Sequence, residues 1–377
     1  MAKNIIGFDA KRIVRNGTGL GSYGRTLVND LAQQPGMELR LYAPDQGRDD
    51  LRGQIVERPN VTFCYPQPSA MPFSKALWRV SGIVKDLQRD GVQLYHGLSG
   101  ELPLGISKSG IRSVVTIHDL IFLRHPEFYH WVDTKIYAWK FRQTVREADH
   151  IIAISECTKR DILHYADVDE WKISVVYQSF SPRFSAVVSD GQRSQVRQLY
   201  HLPQRYILNV GSIEARKNVL QAVQALPLLP DDVALVIVGR HTPYTDKVLQ
   251  YAHAHRLEHR VLVFHGVPDE HLPVFYALAE AFVYPSVYEG FGIPIIEAVS
   301  CGLPVVACSG SCLEEAGGPD SLYVHPGDVE AMADAIRRSL AGAEGREQRI
   351  ENSKKYIRRF GGCDVAGQVA AIYQRLL

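Results

Sequence analysis

No run of about 20 apolar residues, the length a membrane-crossing helix needs, occurs anywhere in this chain of 377 residues. The opening stretch "MAKNIIGFDA" has no long apolar core and no small-residue cleavage site, so no secretory signal is expected. An excess of one charge is missing too. Lys+Arg number 42 and Asp+Glu 41, for a formal net charge of +1, so no global basic field is available to hold a nucleic acid. The small surplus of positive charge lies in residues 1–180, where weak contact with an anionic membrane is permitted and not required. Cysteine is sparse: six residues (64, 157, 301, 308, 312, 363) in no disulfide framework. Cys308 and Cys312 have no further ligands at metal spacing. Free thiols in a reducing cytoplasm, with no metal, are therefore expected.

What the sequence does have is alternation. Short apolar, β-rich runs occur at 4–10, 38–44, 61–66, 93–97, 112–119, 150–155 and 172–178, with helical patterns at 20–34, 74–90, 134–147 and 156–165. A polar break at 181–204 follows. A second series of runs lies at 205–212, 233–240, 260–266, 281–286, 304–309 and 321–326. Continuous apolar strands alternating with helices imply parallel sheets covered on both faces. The expected fold is α/β, with two Rossmann-like doubly wound domains over 1–190 and 200–360. A last amphipathic helix within 361–377 is expected to return to the first domain. Ligands of such sheets bind beyond the carboxyl ends of the strands, so a cleft between the two domains is the expected active site.

Four motifs carry candidate chemistry. In "VGSIEARKN" (210–218), Arg216 and Lys217 follow a strand ending near Gly211 and Ser212 and precede a helix. Cations, a helix dipole and free N–H groups suit a diphosphate there, while a solvated basic turn is the plainer reading. In "NGTGLGSYGRTL" (16–27), a dinucleotide fingerprint threads through Gly19, Gly21 and Gly24. The loop before it is too long, and Asp45 is the only acidic residue placed for a ribose. In "TIHDLIFLRHPEFYH" (116–130), His118 and Asp119 stand at a strand end. His118 fits a sugar hydroxyl, a main-chain carbonyl or a purely structural role equally well, and His125 fits loop packing or acceptor contact. In "VYPSVYEGFGIPIIEA" (283–298), Gly290 and Gly292 free backbone for a ligand and Pro294 suits the first turn of a helix. Glu289 and Glu297 then lie at opposite ends of a small ligand rather than across one bond. The Asp-x-Asp at 167–169 reads as a solvated turn.

Together these motifs resemble family 4 of the retaining, nucleotide-sugar-dependent glycosyltransferases, which have the GT-B fold. The Glu, seven residues, Glu spacing of Glu289 and Glu297, "VGSIEARKN", "GTGLGSYGRTL" and "TIHDLIFLRHPEF" all match, and the likeness covers nearly the whole chain. The first glycine loop and the His-Asp loop look most like bacterial polymannose O-antigen mannosyltransferases. The resemblance implies that Glu289 holds donor-sugar hydroxyls beside the backbone of Gly290, Phe291 and Gly292, and that Glu297 binds the ribose. Arg216 and Lys217 would face the departing diphosphate beside Gly211 and Ser212. Gly19 and Leu20 would offer backbone to phosphates, and His118 would contact the sugar through its carbonyl or ring. Two departures stand out: Ser212 occupies a position where some members carry arginine, and a tryptophan common near the last helix is absent from "RFGGCDVAG".

The implied activity is hexosyl transfer, with mannose from GDP-mannose favoured, to a glycan or lipid-linked glycan. Neither cofactor nor metal is expected. The implied setting is cytoplasmic, with possible contact at the inner face of the inner membrane, and no nucleic-acid partner. Base contacts are expected from 265–272. Acceptor contacts are expected from 65–79 and from loop 120–130, with Asp119 just before that loop and His125 within it. Transfer of glucose or N-acetylglucosamine from a UDP-sugar, a sugar-nucleotide epimerase of the same architecture, and a non-catalytic nucleotide-sugar binder are the alternatives.

Overall fold

A computed structural model describes residues 4–67, 74–362 and 364–377. Cys363 and the middle of the 65–79 stretch lie outside the described residues. The chain divides into two compact units, one running to Gln178 and taking in Asp364–Leu377, the other beginning at Ser179.

Each of the thirteen apolar runs coincides with a strand, the second strand beginning one residue ahead of its run. In the first unit these are β1 (Asn4–Asp9), β2 (Met37–Tyr42), β3 (Val61–Cys64), β4 (Leu94–Gly97), β5 (Arg112–Ile117), β6 (His150–Ala153) and β7 (Ile173–Val175). They pair in parallel in the order β3-β2-β1-β4-β5-β6-β7. The strand order reverses between β1 and β4, the place where open α/β sheets open a crevice. β4 and β6 are buried along their whole length, as expected of strands covered on both faces. Apolar residues of β1, β2 and β4 pack with Val369, Ile372 and Tyr373 of the C-terminal helix Val365–Leu376, so that helix is part of this unit's core.

The second unit holds β8 (Arg205–Val210), β9 (Val233–Val238), β10 (Val261–Phe264), β11 (Ala281–Tyr284), β12 (Val305–Cys308) and β13 (Leu322–Val324). All are parallel, in the order β10-β9-β8-β11-β12-β13, with the reversal between β8 and β11. The polar stretch 181–204 is not a linker. It forms helix Asp190–Tyr200, started by a Ser189–Gln192 capping box. Tyr200 packs edge-on against Phe264 and Phe275, and the Arg193 guanidinium donates to the Ala277 carbonyl at 2.6 Å. The chain therefore changes unit at 178–179, ahead of its polar stretch.

One helix departs from regularity. The expected segment 74–90 is helical from Ser74 to Arg89, but Trp78–Gly82 is a π-helical turn between α-helical ends. The Trp78 indole N–H, at the start of that turn, donates to Asp86 at 2.7 Å. Such turns concentrate at functional sites.

Candidate functional site

In the second unit the loops after β8 and β11, the two strands at the order reversal, meet in an ion cluster. A 3₁₀ turn at Ala215–Lys217 delivers both cations, and Asn218, in the left-handed region (φ 51°), starts helix Val219–Ala225. Lys217 Nζ pairs closely with Glu289 Oε1 and donates to the Tyr284 hydroxyl at 2.6 Å. Arg216 Nη1 lies 3.3 Å from Glu289 Oε2. The Arg216 carbonyl accepts from Val287 N–H at 2.9 Å, tying the two loops through the backbone.

All three side chains are largely buried, with relative exposures of 21% for Arg216, 13% for Lys217 and 11% for Glu289. Burial pushes the Glu289 carboxyl up, but Lys217 and Arg216 outweigh it and hold the group below its ordinary range. Burial works against the Lys217 ammonium, yet Glu289 keeps its pKa raised. Glu214 also approaches the Arg216 Nε at 3.5 Å, so the two cations stand between a buried and a partly exposed carboxylate at the end of a parallel sheet. Guanidinium and ammonium donors gathered in this way suit the oxygens of a polyanion.

The loop carrying Glu289 is pinned from behind. The Cys312 thiol shares its one proton between the carbonyls of Glu289 (3.1 Å) and Phe291 (2.9 Å), and the Phe291 ring is buried edge-on against Phe360 at 5.3 Å. Gly292 has φ 112°, and a Cβ there would lie 3.1 Å from Leu313 and 3.2 Å from Ala316. Glycine at 292 is thus required by the fold as well as available to a ligand. Helix Ile293–Ser300 follows, with Pro294 in its first turn and Ile295 and Ile296 fully buried. Glu297 falls in the second turn. Its carboxyl accepts from the Tyr276 hydroxyl at 3.2 Å, and burial raises its pKa to about 7. The two glutamates therefore occupy unlike settings: one is fixed as a carboxylate by cations, the other is poised to lose a proton near neutrality. Gly211 (φ 150°) and Ser212 leave β8 half-buried beside the cation turn.

The first unit holds the remaining candidates. Of the three fingerprint glycines, Gly21 is needed by the fold, since a Cβ there would lie 1.8 Å from the Asn16 carbonyl oxygen. Gly24 packs against Ile13, and only Gly19 has open space where a Cβ would go. Gly19 and Leu20 begin helix Gly19–Leu31, whose N-cap Thr18 makes no side-chain cap bond. Asp45 pairs with Arg15 and Lys75 instead of standing ready for a ribose.

His118 resolves toward structure at its ring. Nε2 donates to the Leu98 carbonyl at 2.9 Å, while Nδ1 accepts from the Gln178 amide at 3.0 Å. Burial lowers its pKa to about 4, so the ring is neutral and committed. Asp119 accepts from the Ile121 N–H at 3.2 Å, which starts the turn Ile121–Arg124, and His125 pairs with Glu127 at 2.9 Å. Of the expected base-contact segment, the His265 ring donates to the Gly239 carbonyl at 2.6 Å. Glu170 of the Asp-x-Asp turn pairs with Lys159.

Sequence reading missed two things, the Cys312 pin and a charged cavity in the first unit between Asp9 and Trp139, while the His118 ring takes the main-chain carbonyl role that was one of its alternatives. Cys312 was visible as a thiol four residues from another, but its partners are backbone carbonyls, which no spacing reveals.

With this geometry in hand, comparison with known proteins is informative. Residues 193–356 match the family described as glycosyl transferases group 1, and residues 17–182 match glycosyltransferase family 4. The chain is 32% identical over 289 residues to O-antigen chain mannosyltransferase B of Escherichia coli, covering 75% of this chain and 74% of that protein. It is 27% identical over 260 residues to the serotype-specific mannosyltransferase WbdA of E. coli, covering 66% of this chain but only 32% of that longer protein. Sucrose-phosphate synthase from Thermosynechococcus elongatus superposes over 99% of both chains, with a TM-score of 0.79 at 20% identity. The two doubly wound units thus define a GT-B-type glycosyltransferase. More narrowly, the chain belongs to glycosyltransferase family 4.

Proposed function

We propose that the chain transfers mannose from GDP-mannose to a glycan or lipid-linked glycan in bacterial O-antigen synthesis, with retention of anomeric configuration. The observation that carries this reading is the 32% identity to an O-antigen chain mannosyltransferase over three quarters of both chains. The charge of the second unit's site agrees with it. Lys217 and Arg216 would take the charge that develops on the departing diphosphate, without a required metal. Glu289 would exchange part of its ion pairing for donor-sugar hydroxyls while keeping both cations in position. Glu297 would accept from the ribose hydroxyls, and Gly19 and Leu20 would offer backbone N–H groups to phosphate. His118 would reach the sugar through its carbonyl, which meets Thr158 Oγ1 only at 3.4 Å, its ring being occupied. Glu289 is locked as a salt bridge, which disfavours a role as covalent nucleophile. Attack by the acceptor on the leaving-group face, with the departing phosphate receiving its proton, is the mechanism we assign.

The same reading places the enzyme in the cytoplasm, in peripheral contact with the inner membrane. Its support is helix Trp131–Glu147, where Trp131 (64% exposed), Val132, Ile136 (45%) and the cations Lys135 and Arg142 face solvent together with one anion, Asp133. Exposed tryptophan with interspersed cations suits an anionic phospholipid interface.

The direct test is release of free GDP from GDP-mannose by the full chain, with and without a mannose-terminated oligosaccharide. Release that depends on acceptor, unaffected by EDTA, is expected. Conversion of GDP-mannose to another nucleotide sugar without acceptor would replace the transferase reading with epimerisation.

A further inference from the structure

The second unit's ion cluster lies where its strand order reverses, and the first unit has a charged crevice at its own reversal. Asp9, the last residue of β1, and Tyr95 of β4 line it. Arg79 donates to Asp9 through Nη2 (2.6 Å) and Nε (3.3 Å) and reaches Glu101 through Nη1 at 2.5 Å. Lys140 Nζ meets the other Glu101 oxygen at 3.0 Å. The chain Asp9–Arg79–Glu101–Lys140 thus alternates in sign and sums to zero. Asp9 and Arg79 form a buried floor, with side-chain exposures of 4% and 15%, while Glu101 and Lys140 are about one-third exposed at 31% and 37%. Above the floor stand Val80, Leu104 and the Trp139 ring, and Trp139 remains 49% exposed.

We propose that this crevice is a saccharide subsite that takes one neutral pyranose ring of the acceptor. The proposal rests on the acceptor class named above. Two features point to a sugar. A half-exposed tryptophan with aliphatic neighbours offers an apolar surface of the kind that the C–H face of a pyranose packs on. Alternating carboxylate and ammonium groups match a ring edge of hydroxyls, which both donate and accept. The four paired charges cancel one another, although Lys11 also lies within electrostatic reach of Arg79 and Glu101. Glu101 supplies acceptors only: burial pushes its pKa up, but Arg79 and Lys140 overcome this and keep it ionised. Arg79 and Val80 also lie in the π-helical turn Trp78–Gly82, an irregularity that aims them into the crevice. The roles follow. Trp139 is the stacking platform, Glu101 and Lys140 bind hydroxyls, and Asp9 with Arg79 positions Glu101. This location differs from the acceptor segments expected from sequence at 65–79 and 120–130, although Arg79 is the last residue of the first of them.

The experiment is calorimetric titration of the full chain, with and without GDP, using α-linked mannotriose, maltotriose and chitotriose as probes. At least one trisaccharide is expected to bind. Trp139→Ala and Glu101→Gln should each weaken it by about tenfold or more, and Trp139→Phe should retain it within about threefold. Affinity for GDP should stay within about twofold of the parent in all three variants, which also reports that they are folded. In turnover, Trp139→Ala should raise the acceptor KM with little change in kcat. Binding of none of the three probes, or binding indifferent to Trp139→Ala and Glu101→Gln, overturns the subsite. If the chain binds GDP but no trisaccharide, the subsite fails and the transferase reading stands. If it binds a trisaccharide at Trp139 but no nucleotide, the subsite stands and the transferase reading fails.

Discussion

Lys217 is the side chain that most directly joins structure to chemistry. It is buried, charged, and held between Glu289 and the Tyr284 hydroxyl. Lys217→Ala should lower kcat by about 10²–10³-fold if the ammonium acts chiefly on the departing diphosphate. It also leaves Glu289 with Arg216 alone, and losing one member of a buried ion pair costs about 3–5 kcal/mol, visible as a lower Tm. Near-parental turnover in that variant would remove Lys217 from the mechanism. Glu297 carries a second residue-scale prediction. Its folded pKa of about 7 lies above the ordinary 4.5, so the folded protein keeps a proton that the unfolded chain has already released between those values. Its contribution to stability is therefore present below about pH 4.5 and lost as pH rises through 7. A ribose bound by the carboxylate requires the proton to leave. Donor affinity should accordingly rise by up to about tenfold per pH unit below 7 and level off above it. Glu297→Gln should flatten that profile, and an unchanged slope would refute the ribose assignment. His118 adds nothing to this window, because burial keeps its ring neutral down to about pH 4.

At the scale of elements, the sequence was most legible where periodicity and strand ends coincide. The thirteen strands coincide with the apolar runs to within a residue, since burial on both faces favours continuous apolar strands in the middle of each sheet, while β2 alternates and the edge strand β3 is only half-buried. The cation turn before helix Val219–Ala225 and the start of helix Ile293–Ser300 at Pro294 were legible for local reasons, namely a strand end, a loop and capping chemistry. What stayed hidden depends on long-range packing. Helix Asp190–Tyr200 looks like a linker because its polarity is high, and only Phe264, Phe275 and Ala277 decide where it docks. The crevice beneath Trp139 joins residues 9, 79, 101 and 139–140, which no local pattern connects. The Gly292 turn can be tested directly. Gly292→Ala must carry a side chain at φ 112° against Leu313 and Ala316, a strain of about 1–3 kcal/mol. It should lower Tm and weaken donor binding together, and a parental Tm would show that the turn relaxes freely.

At the scale of the whole molecule, each unit is built around one strand-order reversal, and each reversal carries its own cluster of charges. The C-terminal helix is integral to the first unit. The Tyr373 hydroxyl meets His96 Nδ1 at 2.6 Å, His96 Nε2 meets Thr116 at 2.8 Å, and Tyr23 adds to Thr116 at 3.2 Å. Burial lowers the His96 pKa to about 3, so this chain of bonds is uncharged at working pH. Tyr373→Phe leaves a buried ring nitrogen without its partner and should cost about 1–3 kcal/mol, read by thermal unfolding. The proposed membrane contact is tested at this scale as well. The full chain should sediment with phosphatidylglycerol vesicles and not with phosphatidylcholine vesicles. The Trp131→Ala/Ile136→Ala double variant should lose most of that binding, and equal recovery with both lipids would contradict an electrostatic interface.

The central claim is that the buried cluster of Arg216, Lys217 and Glu289 receives a GDP-linked mannose. Thermal shift of the parent chain and of Lys217→Ala against GDP-mannose, UDP-glucose and UDP-N-acetylglucosamine tests it most directly. The account predicts a clear rise in Tm with GDP-mannose, little with the UDP-sugars, and loss of the rise in Lys217→Ala. Equal shifts with all three donors, no shift with any, or a full shift retained by Lys217→Ala would contradict it.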